Sequence, residues 1–316
     1  MILLLGSARS GTTWLAKIFD SHPDVLYRHE PDFELTTTAL PPFVAADDLG
    51  QYVDAARDYL QQLCDVRAPQ AIAKRPLFPK RYRTSAQHLL WYSHLALAAS
   101  LRRLPVLGTR LTASVPAYLN PDATVRPVIK SVMSMGRAGV YARALAKGHV
   151  VIIIRHICGY VESVVRGVRL GKMPGALHLN MLASMPQAQR RDLSADRLRG
   201  MDLVEQCAWR WVLQNEIALE QTRGLKNTTI LKHDDLCDNP MTAAQKMFAF
   251  CDLDWDDQTA AFIAASSGQS ENGQYFSVYR SSAEEANKWR TSLTREEQER
   301  ILAIAHESEL ATFLPS

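Results

Sequence analysis

Nine residues near the start of the chain, Gly6-Ser7-Ala8-Arg9-Ser10-Gly11-Thr12-Thr13-Trp14, hold the types and spacing best suited to chemistry. Glycines five positions apart let a backbone wrap an anion with its N–H groups, and a helix beginning there adds its dipole. The flanking residues fit that use. Ile2-Leu3-Leu4-Leu5 reads as a strand covered on both faces, and Trp14-Leu15-Ala16-Lys17-Ile18-Phe19 continues helically. The run resembles the phosphate loop G-x-x-x-x-G-K-[ST], but Thr12 stands where the lysine belongs. That lysine neutralises the β and γ phosphates together with magnesium, so its loss argues against ATP or GTP hydrolysis.

A second anion site is expected where the strongest strand pattern, residues 149–155, ends in Arg155, with Ser163 eight positions on in a helix beginning near Gly159. In a doubly wound sheet, ligands collect at the carboxyl ends of strands. A guanidinium fork and a hydroxyl could close there on one phosphate. Another strand end offers a base: residues 25–27 run into Arg28-His29-Glu30-Pro31, beside the first loop in the expected topology. Glu30 could take a proton from an attacking hydroxyl. His29 is the rival, because imidazole titrates near neutral pH.

These groups need a scaffold. Strand patterns at residues 2–5, 25–27, 126–130, 149–155 and 228–232 alternate with helical ones, which implies an α/β fold with a mainly parallel sheet. From about residue 33 to 125 the pattern turns helical, at 47–64 and 84–103, and is expected to form an insertion over the sheet. A polar stretch at 171–200 reads as a mobile loop or short helices beside the site. At 316 residues, one domain spanning 1–316 is expected.

Composition narrows the class. Apolar residues make up 47% and charged residues 22%, as in an ordinary globular chain. A net charge of +3 is small for this length, so no nucleic-acid partner is expected. Five widely spaced cysteines show no CxxC pair, which points to free thiols and no metal site. The apolar start is too short for a signal sequence, and no run reaches the roughly 20 residues of a membrane span. A cytoplasmic protein is expected.

With these residues in view, Arg9-Ser10-Gly11-Thr12-Thr13-Trp14 resembles the 5′-phosphosulfate loop of sulfotransferases that use 3′-phosphoadenosine-5′-phosphosulfate (PAPS). Arg155 and Ser163 match that family's 3′-phosphate motif in type and spacing. Lys232-His233-Asp234-Asp235-Leu236 through Asn239-Pro240 is similar to its Y-E-D-L…P segment, read as structural. Arg280-Ser281-Ser282, then Lys288-Trp289-Arg290 and Leu293, resembles the cofactor-closing loop and W-R…L segment of the carbohydrate-type branch. The resemblance covers residues 1–32 and about 126–305.

It implies a P-loop-like three-layer fold, PAPS as donor with 3′-phosphoadenosine 5′-phosphate (PAP) as product, and no metal. Arg9, Ser10, Gly11, Thr12, Thr13, Trp14, Arg155, Ser163 and Arg280 would hold the cofactor. Glu30, in an E-P pair like that of the carbohydrate branch, or His29, would be the base, and Arg9 an electrostatic clamp. Val132 stands where the cytosolic branch carries its catalytic histidine, two after Lys130, so the base must lie elsewhere. The acceptor would be a hydroxyl on a carbohydrate, lipid or secondary metabolite. Trp91 and Tyr92, near Arg102 and Arg103, could line its pocket. Two rivals remain: a small-molecule kinase with a degenerate P-loop, needing Asp234 or Asp235 for magnesium, and a catalytically silent nucleotide-binding protein.

Overall fold

Every residue of Ile2–Leu5 (β1) is buried, which a strand achieves only with neighbours on both edges and layers on both faces. A computed structural model, which describes residues 1–101, 114–120, 122–173, 177–267 and 286–313, supplies both. Arg126–Ser131 (β3) pairs on one side of β1 and His149–Ile154 (β4) on the other. Val25–His29 (β2) lies outside β3, and Thr228–Lys232 (β5) outside β4. All pairs are parallel and the order is β2-β3-β1-β4-β5.

The longer helices are α1 (Thr12–Ser21), α2 (Val53–Asp65), α3 (Ser85–Leu101), α4 (Ala138–Ala144), α5 (Ile157–Arg169), α6 (Leu203–Thr222), α7 (Pro240–Phe250), α8 (Asp257–Ser267) and α9 (Arg295–His306). Strand side chains alternate between two cores. Ile2, Leu4, Val128, Val151 and Ile153 pack with α1, α7 and α8. Leu3, Leu5, Ile129, Ile152 and Ile154 pack with α2, α4, α5, α6 and α9. Helices on both faces of a parallel sheet make the three layers expected from the sequence. Capping boxes, Asp202 with Glu205 and Thr294 with Glu297, start α6 and α9.

The segment 33–125 divides in two. Leu40, Val44, Leu49, Tyr59, Leu60 and Leu63 are buried in the second core, so its first half is an integral part of that layer. The single helix expected at 47–64 opens as a 3₁₀ turn, Ala46–Tyr52, around Gly50, and becomes α-helical only at Val53. The second half, α3, rests on a small separate cluster of Trp91, Ala98 and Val115. In the polar stretch, the short helices Leu179–Ala183, Pro186–Gln189 and Ala195–Arg199 are fastened by buried Leu182, Met185, Ala188 and Leu198. No helix among the described residues is long and apolar enough to cross a membrane.

Candidate active site

The loop after β1 is shaped by two glycines. A Cβ on Gly6 would lie 2.6 Å from Thr12 Cγ2 and 2.8 Å from the Ile153 carbonyl oxygen, so only glycine lets the chain leave the sheet here. Gly11 has φ 82°, and a Cβ there would lie 2.3 Å from Cδ2 of the His233 ring. Between them Arg9 takes φ 73°, and the Ser10 N–H donates to the Ser7 carbonyl at 3.1 Å. Gly11 is the N-cap of α1 and offers no capping side chain, so the first-turn N–H groups keep their acceptor position open. Ser7 and Ser10 are buried, and their Oγ atoms have no hydrogen-bond partner among the described residues. Buried hydroxyls are normally paired, and a phosphate or sulfate oxygen in the loop would pair these. The residues present therefore fit an anionic group.

Arg155 follows β4 directly, as the sequence indicated, and is 5% exposed. Its Nη1 donates to the Arg9 carbonyl at 3.1 Å, while Arg9 Nε donates to Ser163 Oγ at 3.0 Å. Trp211 Nε1 holds the Arg155 carbonyl at 3.0 Å from behind. Gly159 leaves room for the Arg155 guanidinium: a Cβ there would lie 3.0 Å from its Nε. Arg9, Arg155 and Ser163, from two separate stretches of sequence, thus form one group at the carboxyl ends of β1 and β4.

The start of α5 carries a further support. His156 caps it by accepting from the Cys158 N–H at 3.2 Å and stacks on Trp289, with ring centroids 4.5 Å apart and planes 8° from parallel. Burial pushes the His156 pKa down to about 4, so the ring is neutral at working pH. Trp14, expected among the cofactor contacts, donates its Nε1 to Ser266 on α8 at 3.1 Å and packs into the first core. Arg280, Ser281 and Ser282 lie outside the described residues.

Glu30 does not sit beside the first loop. The strand order puts β3 between β2 and β1, a separation of about 10 Å from β1 at two strand spacings. Lys130 of β3 fills that interval. Its ammonium, 2% exposed, donates to Glu30 Oε1, and the Glu30 N–H donates to the Lys130 carbonyl at 2.8 Å. Glu30 has φ 47°, a left-handed conformation held between this bond and the Pro31–Phe33 turn. Its side chain keeps 23% of its surface open to solvent.

His29 is in a different condition. Its Nδ1 hydrogen-bonds the Tyr27 hydroxyl at 2.8 Å. Burial first, then the charges of Lys130, Lys74 and Lys17, push its pKa down to about 2. An imidazole so averse to protonation is a weak proton acceptor. Asp32 closes the group by accepting from the hydroxyls of Ser131 and Ser134, which ties the end of β2 to the end of β3. Burial raises its pKa.

Two residues here were not singled out as site members from the sequence. Lys130 carried a signal, since a lysine ending an apolar strand must find a partner once buried. His233 is the wall of the loop against Gly11, and only its place directly after β5 hinted at this. Among the described residues, no group of three or more His, Cys, Asp or Glu side chains could hold a metal ion. Trp91 is buried, with the Arg83 guanidinium 4.2 Å from its ring centroid, whereas Tyr92 is 41% exposed. Arg102 and Arg103 lie outside the described residues.

A five-stranded parallel sheet between helical layers, with a glycine-bounded loop between its first strand and first helix, defines an α/β protein of the P-loop-like kind. Residues 2–257 match the sulfotransferase family, and the chain belongs to that family. It is 36% identical over 70 residues to carbohydrate sulfotransferase 1 of Danio rerio, a match spanning 21% of this chain and 17% of that relative. Among solved structures, it is similar to the sulfotransferase domain of the Synechococcus PCC 7002 olefin synthase, with 18% identity, 100% and 95% coverage of the two chains and a TM-score of 0.47. The sulfotransferase domain of the curacin biosynthetic pathway gives 14% identity, 98% coverage of both chains and a TM-score of 0.46. Mouse sulfotransferase SULT7A1 complexed with PAP gives 12% identity, 99% and 86% coverage and a TM-score of 0.42.

Proposed function

We propose that the chain transfers a sulfuryl group from PAPS to an acceptor hydroxyl, leaving PAP. The observation that carries this reading is the convergence of Arg9, Arg155 and Ser163 on a loop whose buried Ser7 and Ser10 hydroxyls lack partners among the described residues. Bound there, PAPS would supply the activated sulfuryl group. The loop N–H groups, with the Ser10, Thr12 and Thr13 hydroxyls, would hold the 5′ end, and Arg155 with Ser163 the 3′-phosphate. Arg9 lies between them and neutralises charge collecting on the departing phosphate, a preorganised stabilisation that needs no proton transfer. Gly11 gives the backbone its closest approach, while Trp14 acts from outside by fixing α1 to α8. Arg280 is assigned to closing the cofactor site on the strength of the sequence resemblance.

Glu30 takes the acceptor's hydroxyl proton. It is open to solvent, and Lys130 holds it in place. His29, kept neutral, orients Tyr27 and stays a lesser candidate. The acceptor is a hydroxyl on a carbohydrate, lipid or secondary metabolite, and no step is assigned to a metal. The buried thiols Cys64, Cys158, Cys207 and Cys251, which form no disulfide among the described residues, support placement in a reducing compartment, the cytoplasm. Titration calorimetry with PAP and AMP tests the reading. Two charge-assisted bonds to the 3′-phosphate should make PAP bind at least about a hundredfold tighter, a margin lost in Arg155→Ala. Equal affinity for the two nucleotides overturns the assignment.

A further inference from the structure

Helix α3 reads SAQHLLWYSHLALAASL, without one Asp, Glu, Lys or Arg in seventeen residues. A surface helix normally turns a charged face to water. Here Leu89, Leu90 and Leu97 are 69%, 49% and 56% exposed. Beside α3 runs an open groove. Tyr92, Ala96 and Ala99 share one helix face by their spacing and form one wall; Ala73, Pro76 and Leu77 form the other. Small side chains on both sides keep it open. Among the described residues its polar groups are those of Gln70, Arg75 and Tyr92, and no carboxylate lines it.

The apolar wall leads toward the candidate base. Lys74 follows Ala73, and its carbonyl accepts from Lys17 Nζ at 2.6 Å. Lys17 Nζ lies 5.2 Å from the Tyr27 ring centroid, and the Tyr27 hydroxyl bonds His29, the neighbour of Glu30. The charge of Lys74 acts on both His29 and Lys130. The groove is therefore mainly apolar, with Arg75 in its lining, and its Ala73 side is tied to the group around Glu30 through the contacts of Lys74, Lys17, Tyr27 and His29.

We infer that this groove holds the alkyl chain of an amphiphilic acceptor, an aliphatic alcohol of about octanol's length whose hydroxyl end lies toward Glu30. This rests on the sulfuryl-transfer reading and narrows its acceptor class. A lipid-like chain fits better than a sugar, because a sugar's hydroxyls would face alanine, proline and leucine with few partners. From Tyr92 to Ala99 the groove is about 10 Å long at the helical rise, room for a single short chain rather than a protein element.

The test is binding, so that it stands apart from turnover. 1-Octanol and 1-butanol are titrated calorimetrically into the PAP-loaded protein, into Ala96→Trp and into Ala99→Trp. Each methylene removed from water strengthens binding by about fourfold at full burial. The four extra methylenes of octanol should therefore give at least about thirtyfold tighter binding. Ala96 and Ala99 are exposed, so tryptophan there fills the groove without disturbing the core. Octanol should bind at least about tenfold more weakly to each variant, with PAP affinity unchanged. Octanol binding no better than butanol, or indifferent to both tryptophans, overturns the inference. So does light scattering that shows a dimer in the parent and monomer in Ala96→Trp, since a second copy would then cover the groove. PAP titration of the same samples reports separately: failure to bind PAP counts against the sulfuryl-transfer site, while the octanol result still decides the groove.

Discussion

Replacing Glu30 by glutamine should remove most turnover, but the Lys130 contact means that the same change also disturbs the fold. Lys130 is 2% exposed and its ammonium is held by Glu30. Taking one partner from a buried ion pair costs about 3–5 kcal/mol, because the other charge is stranded. Burial already lowers the Lys130 pKa, so the stranded group can shed its proton, and the lower figure applies. About 3 kcal/mol corresponds to a fall in Tm of about 4–5 °C in a chain of this size. Loss of a general base costs on the order of 10² to 10⁴ in rate, or about 3–5 kcal/mol in the barrier. The two penalties are alike in size, so one variant cannot separate them. A cycle can. Lys130→Met leaves a Glu30 side chain that is 23% exposed and able to find water; it should keep turnover within about tenfold. Glu30→Gln/Lys130→Met replaces the pair with uncharged groups and should recover most of the lost Tm while staying as inactive as Glu30→Gln. Turnover is followed as PAP release and folding by thermal melting. If the double variant regains activity along with its Tm, or if Glu30→Gln turns over within a few-fold of the parent, the pair is a structural clasp and the proton goes elsewhere.

Three other outcomes follow from the same geometry. His29 and His156 have folded pKa values pushed down to about 2 and about 4, against about 6.5 for an ordinary histidine, so below pH 6.5 the unfolded chain takes up protons that the folded chain refuses. Stability should be fully present above pH 6.5 and lost as pH falls, by about 2 kcal/mol per histidine at pH 5. Denaturant midpoints should show a shallower acid loss in His156→Phe, and an unchanged slope would refute the assignment. Gly11→Ala should abolish PAP binding measured by calorimetry, because it strains a φ of 82° and drives a Cβ into His233; retained affinity would show that the loop does not need this backbone. Turnover should survive EDTA, since a sulfuryl group carries less charge than a phosphoryl group; collapse with rescue by magnesium would favour a kinase.

Strands β1 to β4 were legible because each holds an apolar run that burial in a parallel sheet imposes whichever strands are neighbours, and the edge strand β5, with only Leu231 buried, because Thr228, Thr229 and Ile230 are β-branched. The loop after β1 was legible because its demands are local: Gly6 and Gly11 each meet a close contact that only glycine permits. Lateral order is another matter. Residues 25–29 are joined to β3 through a long helical segment, and nothing in their pattern shows that β3 rather than β1 will lie beside them. Hence Glu30 was expected next to the loop, when Lys130 stands between. The direction of Trp14 escaped for a similar reason, since its partner Ser266 is 252 residues away. Lys130 could have corrected the first error. A lysine at the end of the run Arg126-Pro127-Val128-Ile129-Lys130 must find a carboxylate if its strand is buried, and Glu30 stands at the end of another strand pattern. Pairing them in advance places β3 against β2 at the register found, His29 opposite Lys130. An isolated charge in an apolar strand therefore carries the neighbour information that periodicity lacks.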